Sequence, residues 1–315
     1  MTALSNGFIR KYGVIFGLLG IIIFFAIESP NYFFTTSNFM LISKQSSINI
    51  LLALGQMFVI LTAGIDLSDG AIAGLVGAVA AGVTVATGNL FFGLLASLGV
   101  GIGFGILNGV IVAFAKVPAF IATLATMSVV TGITLIYTHG EPIWNLPPSF
   151  DFIGQGNLLN IPFPIILMAF SFVVVWIILE RTKYGRHVYA VGGNIKASRA
   201  AGVKISSVLI SVYAISGLLA AIGGIILASR LGTAEPTAGS GYELDAIAAV
   251  VLGGTSLFGG EGWVVGTLIG GYIIAVLNNG MTIMNISAYY QEVVKGLVIL
   301  LAVMMTSFGK KYWNE

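Results

Sequence analysis

A succession of apolar runs, each about long enough to cross a lipid bilayer, constrains this chain more than any other feature. The runs are 12–28, 48–63, 71–87, 92–115, 118–137, 162–179, 207–229, 244–258, 263–281 and 289–307. A membrane-crossing helix needs about 20 apolar residues, within a range near 17–25. Hydrophobic residues make up 57% of the 315 and charged residues only 8%, whereas soluble domains carry roughly 25% charged residues. A water-soluble core of this size has no means of burying so much apolar surface, so the surplus faces lipid. The expected fold is an all-α polytopic membrane protein with about ten transmembrane helices, forming one integral domain over 1–315. The second and eighth runs are short and end in glycine-rich breaks. Such breaks are tolerated at membrane depth only where protein or a watery cavity satisfies the backbone.

Charge placement sets the expected orientation, because cytoplasmic loops collect Lys and Arg. With the amino terminus inside and ten spans, Arg10, Lys11, Lys116, Arg181, Lys183, Arg186, Lys196, Arg199, Lys204, Lys310 and Lys311 are cytoplasmic, eleven of the fourteen basic residues. Lys44 and Arg230 fall outside and Lys295 within the last span. Both termini are thus expected in the cytoplasm of a bacterial cell, with a large cytoplasmic loop at about 180–206. Arg10 and Lys11 before an apolar run resemble a signal peptide, but the run is long, no small-x-small cleavage site follows, and many spans come after. An uncleaved first span is the reading. The longer outer segments, 29–47, 138–161 and 230–243, carry Glu141, Asp151, Glu235 and Glu243. Five prolines between Pro142 and Pro164 make the middle segment a structured loop rather than a span.

Glycine is abundant, with 42 residues, and in membranes it lets helix backbones approach closely. Gly13/Gly17, Gly70/Gly74, Gly101/Gly105/Gly109 and Gly266/Gly270 recur at four-residue spacing. Tight packing within the chain is the plainer reading, and a seam between two copies is the other. A weak internal echo, G-x-x-L-x-x-G, joins Gly64, Leu67 and Gly70 to Gly254, Leu257 and Gly260; duplication and chance both remain open.

Charges at membrane depth are costly, so each is a functional candidate. Asp66 and Asp69 lie in the break between the second and third runs. Ser68 or Asp69 is expected to cap the third helix, or else Asp66 and Ser68 belong to a permeation route or its gate. Asp245 opens the eighth run in a cap-like position. Glu292 and Lys295, three apart, share one face and suit an ion pair near the outer end. Asn108 and the Asn278–Asn279 pair can bond between helices or meet a hydroxylated solute.

Nothing assembles into an enzyme. There is no cysteine, so disulfides, thiol catalysis and Cys-based metal sites are excluded. The two histidines, His139 and His187, lie far apart in loops, and no serine has a His/Asp partnership. No G-x-x-x-x-G-K-[ST] phosphate loop is present, so any ATP-driven work needs its ATPase in another chain. No cofactor is expected in this chain, and no nucleic-acid partner.

Four blocks in order carry a resemblance: Leu54 to Ser68, Lys116 to Leu124, Gly185 to Val203, and Gly241 to Leu257. With their spacing they cover nearly the whole chain, which closely resembles the permease subunits of bacterial ABC-type sugar importers of the ribose, xylose, galactose and allose class. The ribose subgroup is the nearest. The resemblance implies a permease dimer, of two copies of one chain, bound to cytoplasmic ATPase subunits that use ATP and magnesium. An extracytoplasmic sugar-binding protein would supply the solute. It also implies a short coupling helix that sits in a cleft of the ATPase, carried over here onto Gly192, Gly193, Asn194, Ile195, Lys196, Ala197, Ser198, Arg199, Ala200, Ala201 and Gly202. The residues agree: Asn194 can cap a short helix running to Ala201, Gly202 suits its C-terminal end, and Lys196 and Arg199 share a face. An ordinary basic loop held inside by its charge is the alternative. Asp69 departs from the family, in which an uncharged residue is expected before the glycine.

Competing readings are a permease for branched-chain amino acids or another small solute, and an ion-coupled secondary carrier using Asp66 or Glu292. An intramembrane enzyme lacks a catalytic set. Because the chain has no native cysteine, topology is directly testable. Cysteine at Gln155 should react with an impermeant thiol reagent added to intact cells, and cysteine at Lys196 should not; the reverse pattern would overturn the orientation.

Overall fold

The computed structural model describes the backbone from Thr2 to Lys311 and the side chains from 13 to 304, residue 302 excepted. The side chains of Arg10, Lys11, Lys310 and Lys311, used above for orientation, lie outside the described residues. Thirteen α-helices make up about three quarters of the described structure: α1 Thr2–Glu28, α2 Thr36–Leu61, α3 Asp69–Thr87, α4 Leu90–Val110, α5 Ala119–Thr138, α6 Pro148–Gln155, α7 Phe163–Arg181, α8 Lys183–Gly193, α9 Ile195–Ala200, α10 Ile205–Leu231, α11 Tyr242–Leu252, α12 Val264–Ile283 and α13 Ala288–Lys311. A π-helical turn, Ile111–Ala115, extends α4. Strands β1 Asn157–Leu158 and β2 Ile161–Pro162 pair antiparallel in the loop after α6.

Seven of these helices are long and apolar enough to cross a membrane: α2, α3, α4 with its π-turn, α5, α7, α10 and α12. The apolar part of α1, Gly13–Glu28, is shorter. The expected span 244–258 is not a continuous helix. Helix α11 has 11 residues, roughly 16 Å at 1.5 Å per residue, about half the ~30 Å of hydrocarbon. Gly253 and Gly254 end it, and Gly254 takes φ 86°, a left-handed conformation that glycine adopts without strain. The second span instead begins earlier than expected, at Thr36, where the Thr35 hydroxyl accepts from Asn38 N at 3.2 Å.

Helix α10 is the axis of the bundle, packed on α2, α3 and α4. The Gly101/Gly105/Gly109 stripe of α4 lies on α10: a Cβ at these positions would meet Gly217 O, Tyr213 O and the Ile210 backbone respectively. Gly55 of α2 approaches Ser216 of α10 in the same way. Gly70 and Gly74 abut the 236–239 loop, and Gly266 and Gly270 abut Gly253 and Ala249. Gly13 and Gly17 meet no described atom within 4 Å. Three of the four spaced glycine sets therefore serve packing within the chain. Helix α2 is buried along almost its whole length, while α4, α5 and α7 turn large apolar side chains such as Phe92, Ile121 and Phe170 outward. A second, smaller cluster of Phe25, Phe33, Ile42, Val276 and Met281 joins α1, α2 and α12. There Asn38 and Asn279 exchange two amide hydrogen bonds, at 3.1 and 2.9 Å.

Candidate functional sites

Three places in the bundle concentrate polar chemistry. The first is the break between α2 and α3. Asp66 is fully buried, and its Oδ1 accepts from Ser68 N at 2.9 Å and from Ser68 Oγ at 2.6 Å. Its Oδ2 accepts from Ser216 Oγ of α10 at 3.1 Å. The Asn108 amide of α4 donates to Ser68 Oγ at 2.8 Å, and Thr126 of α5 donates to Asn108 Oδ1 at 2.6 Å. The Gln56 amide of α2, oriented to satisfy both of its groups, donates to Asp66 O and accepts from Asp66 N, each at 3.2 Å. Thr123 Oγ accepts from Leu67 N and lies 3.1 Å from Ile65 O.

The break is thus joined to α2, α4, α5 and α10 by a network centred on Asp66 and Ser68. Ser216 is the twelfth of the 27 residues of α10, so Asp66 sits near the middle of that helix. Asp66, Ser68 and Asn108 are brought together, sealed from solvent, and none lines the cavity described below. The expected caps differ from those observed. Ser68 and α3 make no side-chain cap bond; the Ser68 hydroxyl is committed to Asp66, and Asp69 Oδ1 accepts only from the adjacent Gly70 N at 2.8 Å. Gln56, Thr123, Thr126 and Ser216 escape a sequence reading; their one signal is a lone polar residue inside an apolar run.

The second place is a cavity of about 310 Å³ at the end of the bundle opposite α8 and α9. Its walls come from α2 (Gln45, Ser46, Asn49), the ends of α10 and α12 (Arg230, Asn278), the start of α11 (Asp245) and α13 (Glu292, Lys295). That volume lies at the lower end of the ~300–1,000 Å³ typical of small-molecule sites. The lining carries two cations and two anions and is otherwise mostly amide and hydroxyl. Lys295 Nζ lies 2.7 Å from Glu292 Oε1, as the spacing suggested, and 3.5 Å from Asp245 Oδ1. Asp245 therefore pairs with α13 rather than capping α11, whose N-cap is Gly241. Asn278 joins this wall, apart from the other three candidate pathway residues, and its Oδ1 and that of Asn49 are buried without a hydrogen-bond partner. Asn279 faces the other way, onto Asn38.

The third place is the basic loop at the other end. Thr182 caps α8, its Oγ accepting from Gly185 N at 3.1 Å, and Asn194 caps α9, its Oδ1 accepting from Ala197 N at 3.0 Å. Gly202 takes φ 82° beyond α9. Lys196 and Arg199 are exposed, as are Gly193, Asn194, Ile195, Ala197, Ala200, Ala201 and Gly202, while Ser198 is buried and Gly192 half-buried. One face of α8, Gly185, Val188 and Val191, is buried against the bundle. Tyr184 bonds Ser211 Oγ at 2.7 Å, and Tyr189 donates to Gly262 O at 3.2 Å. Burial pushes both phenols above their usual range, with Glu180 adding to the shift at Tyr189, so both remain protonated.

Residues 38–303 match the family described as branched-chain amino acid transport system / permease component. The chain is 47% identical to the ribose import permease protein RbsC of Bacillus subtilis (strain 168), over 95% of this chain and 94% of that protein. It is 46% identical to the ribose import permease protein RbsC of Escherichia coli (strain K12), over 96% and 95%. The D-allose transport system permease protein AlsC of the same strain is 39% identical, over 94% and 91%. No solved structure matches.

The buried carboxylate makes the first site testable. Asp66→Ala strands the hydroxyls of Ser68 and Ser216 and the Ser68 N–H, at about 1–3 kcal/mol for each buried group left unpaired. It should lower the thermal midpoint of the detergent-solubilised protein sharply. Asp66→Asn, whose amide can donate to Ser216, should retain most of the stability. Equal stability of Asp66→Ala and the parent would refute the scaffold role.

Proposed function

The chain belongs to the branched-chain amino acid transport system / permease component family as the multi-pass membrane permease subunit of an ABC-type sugar importer, and from that premise we propose that it carries ribose or a closely related monosaccharide. The observation that carries this reading is the cavity: its walls offer amides, hydroxyls and balanced charges, and only Ala275 and the Tyr242 ring are apolar. A neutral polyhydroxylated solute suits such a lining. The relatives named for ribose and allose import support the same choice. An ion-coupled carrier needs a titratable acid that exchanges ions with water, and Asp66 is enclosed by its donors.

The importer has a cytoplasmic ATPase and an extracytoplasmic binding protein as partners. In this reading α8 and α9 face the cytoplasm and the cavity opens on the outer side, with both termini cytoplasmic. Ten apolar segments cross: the seven long helices, α1, α13, and α11 completed by its flanking loops. Two copies of the chain pair to form the pathway. Asn278 meets solute on the cavity wall, whereas Asp66, Ser68 and Asn108 hold the break between α2 and α3 that the pathway helices move around. Residues 192–202 dock the ATPase, with the exposed Lys196 and Arg199 as the charged contacts.

Reversal of Lys196 and Arg199 together to Glu tests the docking assignment. The variant should insert normally and still capture the loaded binding protein, yet lose co-purification of the ATPase and sugar-stimulated ATP hydrolysis. Unchanged co-purification and hydrolysis would overturn the assignment.

A further inference from the structure

The docking loop meets the helices α11 and α12 at the tip that joins them. At the inner end of the bundle, the segment 253–263 that links α11 to α12 packs between α8 and the end of α2. Gly260 N donates to Leu61 O of α2 at 3.0 Å, and Tyr189 Oη of α8 donates to Gly262 O at 3.2 Å. Gly192 is so close that a Cβ there would meet Leu61 O and Gly260 N, and one at Gly259 would meet Ala63 and Gly192. Both halves of the G-x-x-L-x-x-G echo therefore belong to turns that meet here, directly beneath α8.

The segment is stiff in itself. Ser256 N donates to Glu261 O at 2.9 Å, Gly259 N to Ser256 O at 3.0 Å, and Trp263 Nε1 to Gly253 O at 2.9 Å. Beyond it, α11 and α12 run backbone against backbone, since a Cβ at Gly253 would meet the Gly266 carbonyl and one at Gly270 would meet Ala249 O. Contacts this close leave the two helices little freedom to slide apart. The same pair carries Asp245 and Asn278 to the cavity wall. A displacement applied at the tip therefore moves the wall.

We propose that Tyr189 is a positioning residue for energy coupling: its hydroxyl fastens α8, the helix that leads into the docking segment, to the tip of the α11–α12 hairpin, which acts as a lever between the ATPase and the solute cavity. The proposal rests on the docking reading of residues 192–202 and adds to it the route by which motion leaves that loop. Tyr189 lies outside the docking segment and is half-buried against the bundle, so its hydroxyl can be removed without altering the ATPase contact.

The test uses the full transporter in vesicles, with D-ribose, its binding protein and ATP. Tyr189→Phe keeps the ring and removes one hydrogen bond, enough to change a conformational equilibrium about fivefold. Sugar moved per ATP hydrolysed and the maximal uptake rate should fall about fivefold. Co-purification of the ATPase, the rate of ATP hydrolysis and the half-saturating concentration of loaded binding protein should stay at parental values. An unchanged ratio of sugar to ATP would overturn the proposal. So would loss of ATPase co-purification in Tyr189→Phe, which would place the residue in the docking surface instead. Failure of the docking reading is separately visible, as ATPase retained by the Lys196 and Arg199 reversal.

Discussion

A backbone that stops being helical inside a buried bundle must find partners for the polar groups it exposes, and the side chains gathered at Asp66 supply them: the carboxylate takes Ser68 N, Gln56 the Asp66 backbone, and Thr123 Leu67 N and Ile65 O. The break between α2 and α3 packs beside the middle of α10, and its Asp66 and Ser68 are shut away from solvent. A charged or polar side chain there is expensive unless fully bonded. Asp66 meets that condition by accepting three hydrogen bonds, while Gln56 closes on its own backbone groups. Through Ser68, Asn108 and Thr126 the same network reaches α4 and α5. Because these bonds cross between helices, the position of α3 depends on all of them together.

The rest of the bundle follows from the weakness of hydrophobic driving force between helices in lipid. Packing must come from close approach, and α10 achieves it with glycine and alanine facing α3 and α4. Where the same device joins α11 to α12 it makes a rigid pair, and the pair carries polar residues to a cavity that the larger helices alone would not form. The Asp245–Lys295–Glu292 cluster then ties α13 to that pair. Scaffold and cavity are separate: Asp66, Ser68 and Asn108 bond one another and their neighbours, whereas Asn49 Oδ1 and Asn278 Oδ1 on the cavity side are unbonded.

Composition and run length made the helical membrane fold legible, because apolar excess has only one solvent to go to. The Asn194 cap and the Gly202 terminus were readable because capping is local. The break itself was readable from Gly64, Asp66 and Gly70, but its partners were not: Gln56, Thr123, Thr126 and Ser216 come from segments distant in sequence. The run 244–258 misled because apolar residues continue through Leu257 and Phe258 after Gly253 and Gly254 have ended the helix. The first turns of α2 mix polar and apolar residues, so no apolar run marks them, and Asn38 and Ile42 pack them on α12 and α1. Asp245 looked like a cap since its partner Lys295 lies 50 residues on, in α13.

Energy source is the most direct test of the account as a whole. Purified permease is reconstituted into vesicles with the ATPase and ATP inside and D-ribose-loaded binding protein outside. Accumulation of ribose should require both the ATPase and ATP, and should persist when a protonophore dissipates the proton gradient. Uptake that proceeds without the ATPase and collapses with the gradient would contradict the account.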